Sequence, residues 1–369
     1  MGGQGCAAAV NSSDEFGRLY GAAKQLEAEG FRRPAALATI IRTRGSTYRR
    51  AGTSMLVRGD GSVVCPLAGG CPQHDLVLRA QQVMRQDRAQ LAAYNRETGL
   101  DVLIETGCGG ELDVLIEPLS RGRDVAFLDA MQALQGQRAS GVLATLFRRD
   151  GETLPRPRRL VWSGAGTWTD IENAMLAART CEACMPSGEQ KRAVVARIES
   201  GGGVAEVLLE RFDPVHRLLV FGANPGAAAL ADLAALLGWQ VRLFDSAEPA
   251  FGAAAFALAT PDALPRHVIG DRFTSAIVMT HNLERDVAWL RALQKVPLVY
   301  LGAIGSRERA ARIRAALPRL GPRLHCPAGL DVGAETPGQI AVSVLAEILS
   351  VRNRRGTASF APAREAATA

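Results

Sequence analysis

Residues 216–245, HRLLVFGANPGAAALADLAALLGWQVRLFD, decide the fold. They read as an apolar strand, a tight turn, an Ala/Leu helix, a glycine stop at Gly238, a second strand and a closing acid. That is the parallel crossover unit, which needs a helix to bring the chain back beside its first strand. The alternation continues downstream. SAIVMTH (275–281) is a strand, LERDVAWLRALQK (283–295) a helix, and PLVYLGAIGS (297–306) a strand running into the helix RERAARIRAAL (307–317). The last helix opens at Thr336-Pro337-Gly338-Gln339, a capping box with proline at its first position. Residues 216–352 are therefore expected to form a Rossmann-like, doubly wound parallel sheet.

Open sheets of this kind bind ligands at the carboxyl ends of their strands. The turn Gly222-Ala-Asn224-Pro225-Gly226 stands where a dinucleotide fingerprint stands, and Asp245 falls where a ribose-binding acid is expected. Asn224, however, replaces the glycine that lets a pyrophosphate approach the backbone, and with Pro225 it reads as a helix cap. NAD(P) is thus the weaker cofactor expectation, beside a scaffold role or another phosphorylated ligand. His281 ends a strand, and Gly305-Ser306 opens a helix followed by Arg307, a pattern suited to an anion.

The first part of the chain has another texture. FGRLYGAAKQLEAEG (16–30) is a helix, AALATIIRT (35–43) a buried strand, and SMLV-RGDG-SVVC (54–65) a hairpin around Asp60-Gly61. CPLAGGCPQHD (65–75) then leads into a helix whose apolar face holds Leu76, Val77, Ala80, Val83 and Met84. DVLIE-TGCGG-ELDVLIE (101–117) reads as strand, glycine turn and strand.

Cys71 sits just before Pro72 at that helix start, where backbone amides and the helix dipole favour a thiolate. Gly69 and Gly70 let a ligand come close to the backbone. Cys108 is flanked by Gly107, Gly109 and Gly110. Cys71 and Cys108 are the candidate reactive thiols, and Cys65, Cys71 and Cys108 the candidate metal ligands, balanced for Cys65 by a role as core filler. Gly45, Ser46, Arg49 and Arg50 form a Gly/Ser turn with paired arginines, suited to a phosphate or carboxylate, unless it is an ordinary solvated loop. Cys181 and Cys184 make a single CxxC, a weak metal or redox signal without a second pair.

Composition bounds these readings. The chain has 369 residues, 47% hydrophobic and 22% charged, with a formal net charge of +6. A mild positive balance and few aromatics give no nucleic-acid signature. No run of apolar residues is long enough to span a membrane, and residues 1–16 lack the pattern of a signal peptide. Seven thinly spread cysteines fit a reducing cytoplasm better than a disulfide framework. Residues 1–13 and 353–369 read as disordered, 14–150 as the N-terminal α/β domain, and 151–215 as its continuation plus a connection carrying the CxxC, with GVLATLF (141–147) and VAEVLLERF (204–212) as strands.

Three segments together resemble the XdhC/CoxI family, the accessory factors of xanthine dehydrogenase and related molybdenum hydroxylases. They are LATIIRTRGSTYRRAGTSMLV…AGGC, GCGGELDVLIEPL, and VMTHNLERDVAWLRAL…YLGAIGSRERAARI…GLDVGAETPGQIAVSVLAEIL. The resemblance implies a mixed α/β N-terminal domain and a C-terminal Rossmann-like domain. It implies binding of the molybdenum cofactor, as the pterin phosphate or its dinucleotide, protection of it while it gains sulfur, and its transfer to an apo hydroxylase. The implied partners are that hydroxylase, a cysteine desulfurase and a second copy of the chain. Cys71 in GGC and Cys108 in GCGG match the family's cysteine motifs, and Arg49 and Arg50 its GS…RR turn.

The departures are specific. CPLAGGCPQ stands where GSxSGGCVE is usual, so Cys65 replaces a small residue and Gln73 an acid. GANPGA stands where GAGHVA is usual, and Pro225 takes the place of the histidine. Cys326 also stands where small residues are usual. Two further readings therefore stay open beside a chaperone. One is an enzyme using the same cleft, either Cys-ligated to a metal or iron–sulfur cluster or NAD(P)-dependent. The other is an interaction protein with vestigial sites.

Overall fold

The computed structural model describes residues 13–67, 70–95, 110–185, 193–246, 256–266, 268 and 270–353. The expected disorder at 1–12 and 354–369 lies outside them, as do Gly69, Cys108 and Gly109. The chain divides into two compact units, one ending at Pro214 and the other beginning at Val215.

The N-terminal unit holds two five-stranded antiparallel sheets. The first has the order β3-β2-β1-β5-β4, built from β1 (Ala35–Arg44), β2 (Ser54–Arg58), β3 (Val63–Val64), β4 (Gln90–Tyr94) and β5 (Glu111–Leu119). The hairpin expected around Asp60-Gly61 is present, with Leu56 opposite Val64. On β1 the side chains alternate. Ala36, Ala38 and Ile40 pack under α2 (Gly70–Gln86) with Leu76, Ala80 and Val83. Leu37 and Ile41 face the other way. Full burial of a side chain such as Ile40, Leu76 or Val83 stabilises by about 1.5–3 kcal/mol.

The second sheet has the order β8-β7-β6-β10-β9. Its strands are β6 (Gly141–Arg149), β7 (Glu152–Ser163), β8 (Gly166–Thr169), β9 (Ala193–Ser200) and β10 (Gly203–Phe212). Residues 151–215, read in the sequence as a continuation of the first domain plus a connection, carry four of these five strands, among them β10 at VAEVLLERF. Pro155 and Pro157 hid β7. They fall where the β6 ladder breaks, between the pairs Leu146–Arg158 and Arg148–Thr153, so neither removes a ladder hydrogen bond there. The two sheets face each other through Ile41, Leu115, Phe147 and Leu208. The helices α1 (Ser13–Ala28) and α3 (Gly122–Gly136) close one side with Phe16, Leu19, Val125 and Phe127. The helix α4 (Ala174–Cys184) covers the outer face of the second sheet.

The C-terminal unit is the expected doubly wound sheet, parallel throughout, with order β13-β12-β11-β14-β15-β16. Its strands are β11 (Arg217–Phe221), β12 (Gln240–Asp245), β13 (Phe256–Leu258), β14 (Thr274–Val278), β15 (Tyr300–Ala303) and β16 (Leu324–His325). The helices α5 (Pro225–Leu236) and α8 (Pro337–Arg352) cover one face; α6 (Leu283–Leu293) and α7 (Arg307–Ala316) cover the other. The chain reverses direction across the sheet between β11 and β14, the switch point at which such folds open a crevice. No helix among the described residues is long and apolar enough to cross a membrane.

Candidate functional site

In the N-terminal unit the expected ligand loop joins β1 to β2. Gly45 and Gly52 bound it at φ 68° and 86°, a region that favours glycine. The Gly52 amide donates to the Ile40 carbonyl at 2.6 Å, and Thr47 Oγ1 to the Arg49 carbonyl at 2.7 Å. The sequence pattern marks Arg49 as a phosphate ligand. Its guanidinium instead donates to the Glu15 carboxylate and to the Pro66 carbonyl, so it ties the loop to α1 and to the segment before α2. Arg50 is exposed, and its guanidinium has no hydrogen-bond or ion-pair partner among the described residues.

The Gly-Cys-Gly-Gly motif reaches this loop through Gly110. A Cβ placed there would lie 2.1 Å from the Ser46 carbonyl oxygen and 2.6 Å from Thr47 Cγ2. Only a hydrogen fits, so the last residue of the motif lies flat on the loop of Ser46. Cys71 stands in the first turn of α2, which contains no acid. Negative charge is favoured at such a terminus. The Ser46–Gly110 contact and the exposed Arg50 make one edge suited to an anion.

Cys65 does not belong to that edge. It has φ 59°, is buried, and directs Sγ toward the Glu15 carbonyl at 3.5 Å within the core of Phe16, Leu19 and Leu56. As a metal ligand it would have to leave that packing, and no group of three metal-ligating side chains occurs among the described residues. Gln73, standing where the family has an acid, donates to Met55 Sδ at 2.9 Å, and His74 is exposed. The CxxC lies on α4. Cys184 is buried in the core there, and burial pushes its thiol up to about 12.

The crevice of the C-terminal unit gathers Gly222, Asn224, Asp245, His281, Gly305 and Ser306 at the strand ends, as the sequence indicates. Their polar atoms are largely spent inside the protein. Gly222 is required: a Cβ would lie 2.6 Å from the Met279 carbonyl. Asn224 caps α5, accepting from the Ala227 amide at 3.1 Å and donating to the Met279 carbonyl at 2.6 Å. Asn282 caps α6 and Ser306 caps α7 in the same way, through the amides of Arg285 and Arg309. Three adjacent helix starts thus satisfy one of their own amides each. Asp245 accepts from the amides of Ala223 and Ser246 and from Arg285, which also donates to Ser246 Oγ at 2.6 Å. The carboxylate that would hold a ribose is already held.

His281 contributes backbone rather than ring. It turns the chain at φ 59°, leaves its side chain in solvent, and offers its carbonyl to Arg309 at 3.3 Å. The sequence reading missed the centre of this corner. Asp286 is fully buried and accepts from the Thr280 amide and hydroxyl and from Nε and Nη2 of Arg309. The signal was the acid in HNLERD with the second arginine of GSRER, which charge alone marks as an ordinary solvated helix face.

Comparison with known proteins agrees with this architecture. Residues 218–348 match a model described as XdhC Rossmann domain, and residues 31–95 one described as XdhC and CoxI family; together they take in just over half of the chain. A Bacillus subtilis (strain 168) protein, named as a probable subunit of xanthine dehydrogenase, is 28% identical over 87% of this chain and 94% of its own length. The molybdenum cofactor insertion chaperone PaoD of Escherichia coli (strain K12) is 26% identical over 86% of this chain and 83% of its own. A crystal structure described as a xanthine dehydrogenase from Bacillus halodurans superposes with a TM-score of 0.73 at 25% identity, covering 91% of this chain and 97% of that one.

Proposed function

The chain belongs to the XdhC and CoxI family, and from that premise we propose that it is a molybdenum-cofactor chaperone for a hydroxylase of the xanthine dehydrogenase type. The cofactor is its cargo. The pterin is held at the edge where the Gly45–Gly52 loop meets Gly110 of the Gly-Cys-Gly-Gly motif, and Cys71 and Cys108, which match the family's cysteine motifs, are the candidate thiols for the molybdenum. A cysteine desulfurase supplies the sulfur, and the apo hydroxylase receives the finished group.

The observation that carries this reading is the approach of Gly110 to Ser46, which joins two motifs far apart in the sequence into one surface. The exposed Arg50 gives that surface a cation for a phosphate. Arg49 serves by fixing the loop.

The test is stoichiometric. Protein purified without oxygen from cells that make the cofactor should carry molybdenum and pterin at equal ratios, measured by mass spectrometry. It should also raise the activity of an apo hydroxylase when desulfurase is present, with no turnover of its own. Protein free of pterin that leaves hydroxylase activation unchanged ends the proposal.

A further inference from the structure

Tyr48 stands on the β1–β2 loop and is 81% exposed. A single exposed apolar residue needs no explanation on its own. Three features set this one apart. First, its backbone is held on both sides: Gly52 bonds to Ile40, Thr47 to Arg49, and Arg49 to Glu15 and Pro66. The ring therefore projects from a fixed frame and loses little freedom on contact with a ligand. Second, the Arg49 guanidinium carbon lies 5.7 Å from the ring centroid, within cation–π range, and steadies the ring from its own side. Third, the neighbouring Arg50 is an exposed cation with no partner among the described residues, and Thr47, on the other side of Tyr48, lies against Gly110.

We infer that Tyr48 and Arg50 form the recognition edge of the cofactor site: the Tyr48 ring is the face on which the bicyclic pterin stacks, and Arg50 takes the phosphate. The assignment rests on the chaperone reading and deepens it. A pterin is a flat nitrogen heterocycle like a nucleobase, and such rings stack on aromatic side chains whatever their edge pattern. The phosphate wants a guanidinium that is not already bound to a carboxylate. Arg49, engaged by Glu15, does not meet that condition; Arg50 does.

The experiment uses the full chain and two fluorescent probes, a 6-substituted pterin monophosphate and its dephosphorylated form. Wild-type protein should quench both on binding. Tyr48→Ala should weaken both about tenfold, within the range of single stacking contacts, while Tyr48→Phe stays within about twofold because the ring face is kept. Arg50→Gln should weaken the phosphorylated probe alone and flatten its salt dependence. Wild-type binding that is unchanged in Tyr48→Ala overturns this assignment and leaves the chaperone reading intact. Wild-type protein that binds neither probe overturns both.

Discussion

The Arg285 guanidinium is bonded to the Asp245 carboxylate at the carboxyl edge of the parallel sheet, where a dinucleotide would place its adenosine ribose. The same carboxylate accepts from the Ala223 and Ser246 amides, and Asn224 has displaced the glycine that would admit a pyrophosphate. The fold is that of a dinucleotide-binding domain, but its ligand groups bind one another. Titration with NADH, followed by its fluorescence, should show no saturation below about 1 mM, the concentration scale of a −4 kcal/mol contact. Saturation at micromolar NADH would restore the oxidoreductase reading.

Asp286 should matter to the fold of the C-terminal unit. It is fully buried, and Arg309 is bound to it through two nitrogens. Asp286→Ala leaves that guanidinium without its counter-charge, at a cost of about 3 kcal/mol. The exposed pair Arg307–Asp331, whose side chains are 92% and 90% exposed, is the control: Asp331→Ala should leave the denaturation midpoint where it was. Equal midpoints for both variants would show that the buried ion pair is not what holds this corner.

Gly110 and Gly136 separate steric need from helix propensity. A Cβ at Gly110 meets the backbone of Ser46, which cannot turn aside as a side chain can. Gly110→Ala should destabilise by about 1–3 kcal/mol and displace the ligand loop. Gly136, at the end of α3, has nothing within 4 Å of its virtual Cβ, so Gly136→Ala should be neutral or slightly stabilising. Thermal melts distinguish the two directly.

The parallel sheet was legible because its strands and helices alternate over 216–352 in uninterrupted apolar blocks, and because Asn224-Pro225 and Thr336-Pro337 announce their helices. The second antiparallel sheet was legible only in part: GVLATLF and VAEVLLERF read as the strands β6 and β10, but their neighbours were hidden. β7 carries two prolines in its ladder gap, and β9 alternates weakly, with Val194 44% exposed. At the sites, residue type marked the right places but not who binds whom. Arg49 and Asp245 look open to a ligand in the sequence, yet their partners Glu15 and Arg285 lie 34 and 40 residues away, beyond any local pattern. Cys65 was ambiguous because a cysteine that fills a core and one that binds a metal are spelled alike.

Glu210 gives the N-terminal unit a pH dependence. It is buried between the two sheets near Glu117, Arg159 and Thr145, and burial raises its carboxyl to about 8. The folded chain thus keeps a proton that the unfolded chain releases near 4.5. Stability contributed by this group falls as pH rises from about 4.5 to about 8, then levels off. Glu210→Gln removes that loss. It should be equal to wild type near pH 4 and more stable at pH 8 and above, by at most on the order of 5 kcal/mol. Denaturant midpoints taken across that range that run parallel for the two proteins would place the titration elsewhere.

Thiol reactivity tests the CxxC as a metal or redox pair. Burial first, and the nearby Cys181 second, raise the Cys184 thiol to about 12, so it stays protonated at pH 8. Cys184 is 1% exposed and Cys65 equally so, whereas Cys181 is half-buried beside Thr167. A metal-binding pair needs both sulfurs as thiolates turned to one ion, and α4 supplies one at its surface and one in its core. Iodoacetamide on the native protein at pH 8 should label Cys181 and spare Cys184 and Cys65, with all three labelled in denaturant, as peptide mass mapping would show. Native labelling of Cys184 at the rate of Cys181, or protection of both by zinc, would mean that the helix opens and that the pair binds as a unit.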